Sequence, residues 1–454
     1  MQLLDVAIHD WLLRWRFRAF LCFRGPHNFS EMKHFDTLEG WLKWQEGLHP
    51  QTIDLGLERV QSVFRALQPD YDKPTTITVA GTNGKGSCVA FLEFIYRAQG
   101  YRVGTYTSPH ILSYNERIKI NGKPVSNDLI CSAFERIESV RAGVSLSYFE
   151  FGTLAALDIF SRANLDVQLL EVGLGGRLDA VNIVDPDVSI ISSIGIDHAD
   201  WLGETRELIG REKAGIFRKH VPAIISDPES PDSIYEYANE IEAPAFFIGC
   251  DFAYRKQPKG WIWYTPDRQI EELPEPNLKG EHQYRNAAAV VMAVTLMSSR
   301  LPISVDSIRQ GIESVELIGR FQIIHDEIPV LLDVGHNPQA VQTLADYLSD
   351  NFSGKRIHAV FTMMKDKDIP GVISIMKPLV HQWYFVPLKD NPRCASEAMM
   401  QDYFEQCKIT AVDFGFSGLQ DALDSAKTKA GKNDLLLVFG SFFLVSEYLG
   451  ICTR

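Results

Sequence analysis

The sequence has no pair of cysteines at CxxC spacing, and its seven cysteines are scattered along 454 residues. Such an odd, dispersed set argues against a zinc ribbon or a disulfide framework and fits the reducing cytoplasm. No apolar run approaches the ~20 residues of a transmembrane helix, so no membrane partner is expected. Internal repeats and low-complexity tracts are also lacking, which excludes solenoid architectures.

A net positive charge is lacking as well. The 45 Lys and Arg residues are outnumbered by 58 Asp and Glu residues, and the formal net charge is −13. A nucleic acid partner is not expected, because such partners require basic faces that neutralise phosphates. Small anionic substrates are compatible with this balance where helix N-termini, a few basic side chains or metal cations supply local positive charge.

The beginning of the chain is basic and aromatic, with Trp, Phe and Arg concentrated in residues 11–24. Arginines interrupt the apolar stretch and no small-residue cleavage site follows, so a secretory signal is not expected. A helix lying on a membrane surface is one interpretation. We favour the other, an extension over residues 1–31 of unclear role, with Met32 as an alternative start.

Strand-like runs alternate with helical patterns along the rest of the chain, which predicts an α/β fold with parallel sheets and crossover helices. The pattern restarts after Gly319 and Arg320. It predicts a first domain over residues 32–318, a hinge over 317–321 and a smaller doubly wound domain over 321–454. Strands are predicted at residues 75–80, in a short run ending near 107, and at 167–172, 188–193, 223–226, 329–334, 356–363, 383–387, 410–414 and 435–439.

A glycine-rich turn, Gly-Thr-Asn-Gly-Lys-Gly-Ser, lies between the first predicted strand and a helix predicted over about residues 87–98. Glycines let backbone N–H groups approach phosphates, and the helix N-terminus adds positive potential. Lys85 can reach the β- and γ-phosphates as a mobile point charge. The strict GxxxxGK[ST] pattern is not met, so a chance turn is the alternative, but its context favours a nucleotide site. Its residues are Thr82, Asn83, Gly84, Lys85, Gly86 and Ser87.

Polar residues follow three of the predicted strands. Glu171 closes one strand, Asp197 and His198 are expected to close another, and Ser108 follows a third. Ligands of open α/β sheets collect beyond the carboxyl ends of the strands, so these groups should face one crevice. Oxygen donors with one imidazole suit Mg²⁺ that bridges ATP phosphates. Taken alone, His198 would more often be a hydrogen-bonded structural histidine than a metal ligand.

These motifs resemble, in sequence order, those of the Mur ligase superfamily and most closely those of its folate branch. The resemblance runs from about Met32 to the C-terminus. It rests on residues 53–60, 81–87, 107–110, 148–151, 171–179, 197–198, 211–216 and 333–338. It implies a P-loop-containing Mur-ligase-type ATPase domain followed by a Rossmann-like C-terminal ligase domain.

The resemblance also implies a function. Members of this branch are ATP-dependent amide ligases that add L-glutamate to dihydropteroate and to tetrahydrofolates through an acyl phosphate, releasing ADP and phosphate. The expected partners are therefore ATP, L-glutamate, dihydropteroate and reduced folates, and the expected state is a cytoplasmic monomer. Mg²⁺ is the implied metal, and a monovalent cation such as K⁺ is left open.

Individual site residues follow from the same resemblance. Lys85, His336 and Lys213 are expected to be catalytic, with Lys213 carbamylated, since a carbamate anion suits a site beside magnesium better than an ammonium. The implied magnesium ligands are Ser108, Glu171 and His198. The implied nucleotide contacts beyond the phosphate loop are Asn286, Arg320 and Asp333. The implied substrate contacts are Ile53, Asp54, Leu55, Ser147, Arg177, Leu178 and Ser441, the last in a strand-to-helix turn suited to a carboxylate.

Simpler interpretations stand beside several of these roles. Asn286 could be a helix cap, Arg320 a surface ion pair, Leu178 a packing residue and Lys213 a solvated charge on a helix. Gly335 stands where the branch usually has alanine.

Three other functions are compatible with parts of the pattern. A cell-wall Mur ligase would need an additional N-terminal domain, and the phosphate loop begins only about fifty residues after Met32, too few for one. A folylpolyglutamate synthase without the dihydropteroate activity is disfavoured by residues 53–60. A nucleotide-binding switch would need the phosphate loop but not Glu171, His198 and Lys213.

Overall fold

The computed structural model describes residues 33–51, 53–389 and 391–452, so the expected extension over residues 1–31 lies outside the described residues. Within these ranges the expected α/β fold is confirmed. Two mainly parallel sheets are each covered by helices, and a small antiparallel sheet lies against the first. None of the helices described is both long enough and apolar enough to cross a membrane.

The first sheet has eight strands in the order β4-β3-β2-β5-β1-β6-β7-β8. They are β1 (Thr75–Ala80), β2 (Val103–Tyr106), β3 (Ile118–Ile120), β4 (Lys123–Pro124), β5 (Val167–Glu171), β6 (Val188–Ile191), β7 (Ala223–Ile225) and β8 (Ala245–Phe247). β3 and β4 are antiparallel and form one edge, while the remaining strands run parallel. β1 lies between β5 and β6 and is buried from Thr76 to Ala80, as expected for a strand covered on both faces.

Helices cover both faces of this sheet. They are α1 (Leu38–Glu46), α2 (Glu58–Leu67), α3 (Lys85–Ala98), α4 (Asn127–Val140), α5 (Tyr148–Ser161), α6 (Ala199–Leu202), α7 (Arg206–Ala214), α8 (Asp232–Glu240), α9 (His282–Leu296) and α10 (Val305–Ser314), with short 3₁₀ turns at Tyr114–Arg117 and Ala180–Ile183. α3, α9 and α10 share one core with the antiparallel sheet of β9 (Ala253–Lys256), β10 (Trp261–Tyr264) and β11 (Gln269–Leu273). α1, α2, α4, α5, α7 and α8 contribute to the core on the other face.

The C-terminal sheet has the order β12-β13-β17-β14-β15-β16, with only β12 antiparallel to its neighbour. Its strands are β12 (Gln322–Ile324), β13 (Val330–Asp333), β14 (Ile357–Phe361), β15 (Val380–Phe385), β16 (Val412–Asp413) and β17 (Leu435–Phe439). Its helices are α11 (Pro338–Asn351), α12 (Ile369–Met376), α13 (Glu397–Gln406), α14 (Leu419–Lys429) and α15 (Phe442–Cys452). α11, α12 and α13 pack on one face, and α14 and α15 on the other.

Two local expectations differ from the structure. The expectation that Asp197 and His198 close a strand is wrong, because β6 ends at Ile191 and the next residues form a loop that bonds to the phosphate loop. The strand predicted over residues 410–414 is reduced to the two residues of β16. Between α10 and β12 the chain turns at Gly319 (φ 72°) and Phe321 (φ 45°), within the predicted hinge.

Candidate active site

The phosphate loop, residues 81–87, connects the carboxyl end of β1 to the first turn of α3. Gly84 has φ 91°, and a Cβ there would lie 2.9 Å from Asn286 Oδ1, so only glycine fits. Helix α3 begins at Lys85, which leaves the N–H groups of its first turn without intrahelical acceptors and therefore open to an anion. Lys85 Nζ donates to Gly81 O at 3.0 Å and to Thr82 O at 3.2 Å. Burial lowers the pKa of Lys85, and the negative charge of Glu171 opposes that shift.

The loop after β6 holds the start of the phosphate loop. Thr82 N donates to Ser193 O at 2.6 Å, and Asn83 N donates to Ser193 Oγ at 3.2 Å. Ser192 Oγ donates to Asn83 O at 2.6 Å. The backbone N–H groups of Thr82 and Asn83 are thus committed to protein acceptors, which leaves the first turn of α3 as the anion-facing part.

Glu171 and Ser108 lie together beside this loop. Glu171 ends β5 directly next to Val79 of β1, and Ser108 follows β2 on the other side of β5. Ser108 N donates to Glu171 Oε2 at 3.1 Å. Burial raises the pKa of the Glu171 carboxyl, while the charge of Lys85 lowers it. A buried carboxylate one strand away from a phosphate loop is a suitable ligand for a phosphate-bound cation.

His198 adopts a left-handed backbone (φ 54°) just before α6. Burial lowers the pKa of its imidazole to about 4, with Asp197 opposing the shift, so the ring is neutral and can donate a lone pair to a metal. Within the described ranges, no three His, Cys, Asp or Glu side chains are arranged to hold an ion by themselves. The donors present fit Mg²⁺, which commonly takes its remaining oxygen ligands from substrate phosphates and water.

Lys213 is a buried amine. It projects from α7, is 4% exposed, and its Nζ donates to Gly81 O at 3.0 Å. Burial, together with the positive charge of Lys85, lowers the pKa of Lys213 to about 7. The alternative of a solvated charge on an amphipathic helix is therefore wrong.

The nucleotide residue predicted on α9, Asn286, is connected to the phosphate loop through Gln283. Asn286 lies inside α9, which begins at His282, so the alternative that Asn286 caps the helix is wrong. Its Nδ2 donates to Gln283 Oε1 at 3.1 Å, and Gln283 Nε2 donates to Ser87 Oγ at 3.3 Å. Sequence reasoning missed Gln283, although its position one turn before Asn286 was an available signal.

Arg320 and Asp333 meet where the chain enters the C-terminal domain. The Arg320 guanidinium lies 5.2 Å from the Phe442 ring centroid and within electrostatic reach of Asp333 and Glu171. The Arg320 side chain is half-buried, and burial lowers its pKa while the charges of Asp333 and Glu171 oppose that shift. Gly335 N donates to Asp333 Oδ1 at 2.7 Å, and burial raises the pKa of Asp333 to about 6.

The residues predicted for the acid substrate are only partly joined. Asp54 Oδ2 lies 2.6 Å from Arg59 Nη1 and 3.0 Å from His49 Nε2. Arg59 Nη2 donates to Glu150 Oε1 at 3.1 Å, and Glu150 forms a capping box with Ser147 at the start of α5. The loop containing Ile53, Asp54 and Leu55 is therefore tied to Ser147. Arg59 and Glu150 lie in motifs that carried the family resemblance, but no individual role was predicted for either.

The other predicted substrate residues are placed differently. Arg177 is exposed and pairs with Glu212 at 2.7 Å, and in the described part of the chain no contact joins it to Asp54. Leu178 is half-buried beside it. Ser441 Oγ accepts from Leu444 N at 3.1 Å and so caps α15. His336 Nδ1 lies 3.0 Å from Val334 O, and its Nε2 points to Asp197 Oδ2 at 3.6 Å.

The C-terminal domain supplies further side chains that sequence reasoning missed. Lys367 Nζ lies 2.6 Å from Asp197 Oδ1 and 3.4 Å from His198 Nε2. Burial alone would raise the pKa of Asp197, but His336 and the charge of Lys367 hold it well below its usual range. Lys367 sits in the charged run Lys-Asp-Lys-Asp, which looks like an ordinary solvated loop, so the sequence carried no signal.

Comparisons with known proteins agree with this geometry. A family described as Mur ligase, glutamate ligase domain, matches residues 319–442. The dihydrofolate synthase/folylpolyglutamate synthase of Escherichia coli K12 is 42% identical over 414 residues, covering 91% of this chain and 95% of that protein. The chain belongs to the dihydrofolate synthase/folylpolyglutamate synthase family of Mur ligases. The expectation drawn from the motifs is thereby confirmed.

Two solved structures of this family resemble the fold throughout. E. coli FolC in complex with DHPP and ADP has a TM-score of 0.86 and 42% identity, covering 92% of this chain and 98% of that one. A bifunctional folylpolyglutamate synthase/dihydrofolate synthase with Mn, AMPPNP and L-glutamate bound has a TM-score of 0.85 and 40% identity, covering 93% of this chain and 100% of that one.

Proposed function

We propose that this protein is an ATP-dependent ligase that adds L-glutamate to dihydropteroate and to tetrahydrofolates through an acyl phosphate, releasing ADP and phosphate. The observation that carries the proposal is that Glu171 and Lys213 lie against the phosphate loop that contains Lys85, in a chain of this family, while His198 lies in the adjoining loop that bonds to it. A switch that only binds nucleotide would not need that set. The family's solved structures with AMPPNP, Mn and L-glutamate support the same substrates and a divalent metal.

The chemistry follows from the need to activate a carboxylate. A carboxylate and an amine at neutral pH form a salt rather than an amide, so the carboxylate oxygen first attacks the γ-phosphorus of ATP and ADP leaves. The glutamate amine then attacks the acyl carbon, and inorganic phosphate leaves. Lys85 and Arg320 would stabilise the negative charge on the transferred phosphoryl group.

The metal is proposed to be Mg²⁺. Glu171, His198 and Ser108 would hold it, and Ser87 adds a hydroxyl at the start of α3. Its contribution when bound is to neutralise charge on the phosphate oxygens. A monovalent cation such as K⁺ is left open.

Lys213 is proposed to be carbamylated. Its pKa of about 7 supports this, because a neutral amine is needed to attack the carbon of CO₂. A proton is then lost to water, and a carbamate anion is formed. That anion would suit the side chain's position beside the phosphate loop and the proposed metal.

The two acid substrates are assigned to the loop at residues 53–60 together with Ser147, Arg177 and Leu178. The glutamate is assigned to the C-terminal domain, to His336 and to the turn at Ser441. We take the domains as residues 32–318 and 321–454, closing about residues 317–321. Closure would exclude water, which otherwise hydrolyses the acyl phosphate. We expect a cytoplasmic monomer.

Phosphate release from ATP and Mg²⁺ tests the proposal, with dihydropteroate or tetrahydrofolate supplied with and without L-glutamate. Release that requires glutamate with both acids is the expected result. Release with tetrahydrofolate alone would reduce the protein to a folylpolyglutamate synthase. Absence of release with either acid, from folded protein that still binds ATP, would overturn the proposal.

A further inference from the structure

Beside the nucleotide site, the two domains contact each other through a set of polar side chains. On the first domain these are Asn83 of the phosphate loop and the loop of residues 192–198. On the C-terminal domain they are the start of α11 and the loop after β14, which carries Lys367. We call this set of contacts the closure clamp.

The side chain of Asn83 is fully committed to the clamp. Its Nδ2 donates to Asn337 Oδ1 at 3.1 Å and to Gln339 Oε1 at 2.8 Å, and its Oδ1 accepts from Asn337 Nδ2 at 3.0 Å. Asn337 is buried and caps α11 by accepting from Ala340 N at 2.9 Å, which fixes its orientation. A reciprocal amide pair of this kind forms only when α11 lies against the phosphate loop.

The surface of the first domain is shaped for this contact. A Cβ at Gly195 would lie 2.5 Å from Gln339 Oε1, so the Gln339 side chain occupies space that any other residue at position 195 would fill. Gln339 Nε2 also donates to Ile194 O at 3.1 Å. This close approach is independent of the amide pair and points to the same docked position.

The ion pair between Asp197 and Lys367 is buried by the docking. The two side chains are 10% and 6% exposed, and Asn337 Nδ2 also donates to Asp197 Oδ2 at 3.3 Å. Either charge alone in this site would be costly, because a buried charge without its partner loses hydration without compensation. The carboxylate adjoins His198, so the pair connects the C-terminal domain to the proposed metal ligand.

We propose that Asn337, Gln339 and Lys367 are positioning residues, which set the phosphate loop and the backbone at His198 for phosphoryl transfer only when the domains are docked. The inference rests on the proposed function for its effect on turnover. Docking of the domains can be measured without turnover, so the experiments can disprove the docking contacts and the proposed function separately.

A double-mutant cycle tests the amide pair. Asn337→Ser keeps a helix cap and removes the amide, Asn83→Ala removes its partner, and the double variant combines them. Each single change is expected to lower kcat for glutamate-dependent phosphate release about tenfold. Asn337→Ser, which lies outside the phosphate loop, should keep the Kd for AMPPNP and Mg²⁺ within about twofold of wild type. The double variant should be no slower than the slower single variant. Multiplied effects, or a loss of kcat that merely follows a lowered Tm, would overturn the pair's role.

Small-angle X-ray scattering with AMPPNP and Mg²⁺ tests docking directly. At equal nucleotide saturation, wild type should match the scattering calculated from the docked structure, whereas Lys367→Met should remain more extended. Lys427→Met is the matched control, because it removes an ion pair with Asp326 that is 44% and 50% exposed and lies within the C-terminal domain. Equal compaction of Lys367→Met and wild type would overturn the clamp. Compaction of wild type without glutamate-dependent turnover would leave the clamp standing and overturn the proposed function.

Discussion

The phosphate loop and the segment of residues 53–60 are both organised by charge, but they differ in how deeply the charged side chains are buried. Around the phosphate loop, Glu171 and Lys213 are each 4% exposed, and burial shifts their pKa values. In the segment of residues 53–60, the Asp54 and Arg59 side chains are 32% and 28% exposed, and they are held in place by a direct ion pair. Buried charges act through a low dielectric and stay fixed, which suits phosphoryl transfer. Ion pairs that keep partial contact with water are weaker and can adjust, which suits a site proposed to accept two different acids.

The largest effect is expected from a substitution in the phosphate loop. Lys85→Met should lower kcat for glutamate-dependent phosphate release by about 10²–10³-fold, because a preorganised charge on the transferred group is lost. The measurement is steady-state phosphate release with thermal unfolding in parallel. Lys219→Met, which removes an exposed pair with Glu242, is the control and should retain activity. A Lys85→Met enzyme within tenfold of wild type would remove this lysine from the chemistry.

A smaller effect is expected for a substitution in the segment of residues 53–60. Arg59→Met removes the contacts to Asp54 and Glu150 and should raise KM for dihydropteroate about tenfold, with KM for ATP unchanged, because only the acid-binding loop loses its support. Arg309→Met, which removes an exposed pair with Asp306, should change neither KM. If KM for ATP rises as much as KM for dihydropteroate, the two regions are not separable.

The smallest effect is expected in the pH dependence of the free energy of unfolding, which tests whether the Lys213 amine is buried. The folded pKa of Lys213 is about 7, below the unfolded value of ~10.4. Above pH 7 the unfolded chain therefore binds more protons at this residue, and stability rises with pH until both forms are neutral. In CO₂-free buffer, wild type should gain about 1 kcal/mol relative to Lys213→Met between pH 7 and pH 8. Denaturant unfolding at the two pH values measures this, and parallel curves for the two proteins would contradict the buried, weakly basic amine.

Local sequence patterns were sufficient to predict the parts of the site that lie at the ends of strands and helices. The sheet strands, the phosphate loop and Glu171 follow from apolar runs and from the residues at their ends, because parallel strands bring their carboxyl ends to one edge. Lys213 came only from the family resemblance, since its helical pattern indicated a solvated charge. Its burial depends on packing against the phosphate loop, which local sequence does not encode.

Contacts between the domains were beyond the sequence for a different reason. Asn83 looked like a nucleotide residue, and Lys367 looked like part of a solvated charge run. Both acquire their partners only when segments separated by more than a hundred residues are docked. Neither the periodicity nor the residue spacing of the sequence predicts which segments of the two domains come into contact. The short edge strand β4, with two residues, was also too small to produce a recognisable pattern.

The strand order of the first sheet has a consequence for synthesis of the protein on the ribosome. β1 is made early, yet its two hydrogen-bonded neighbours are β5 and β6, which begin at Val167 and Val188. The central strand and its glycine-rich turn must therefore wait, with both edges unpaired, until most of the first domain has emerged. Unpaired apolar edges invite association with other chains. On the ribosome, both edges of β1 therefore stay without their partners until β5 and β6 have emerged, before the C-terminal domain is made.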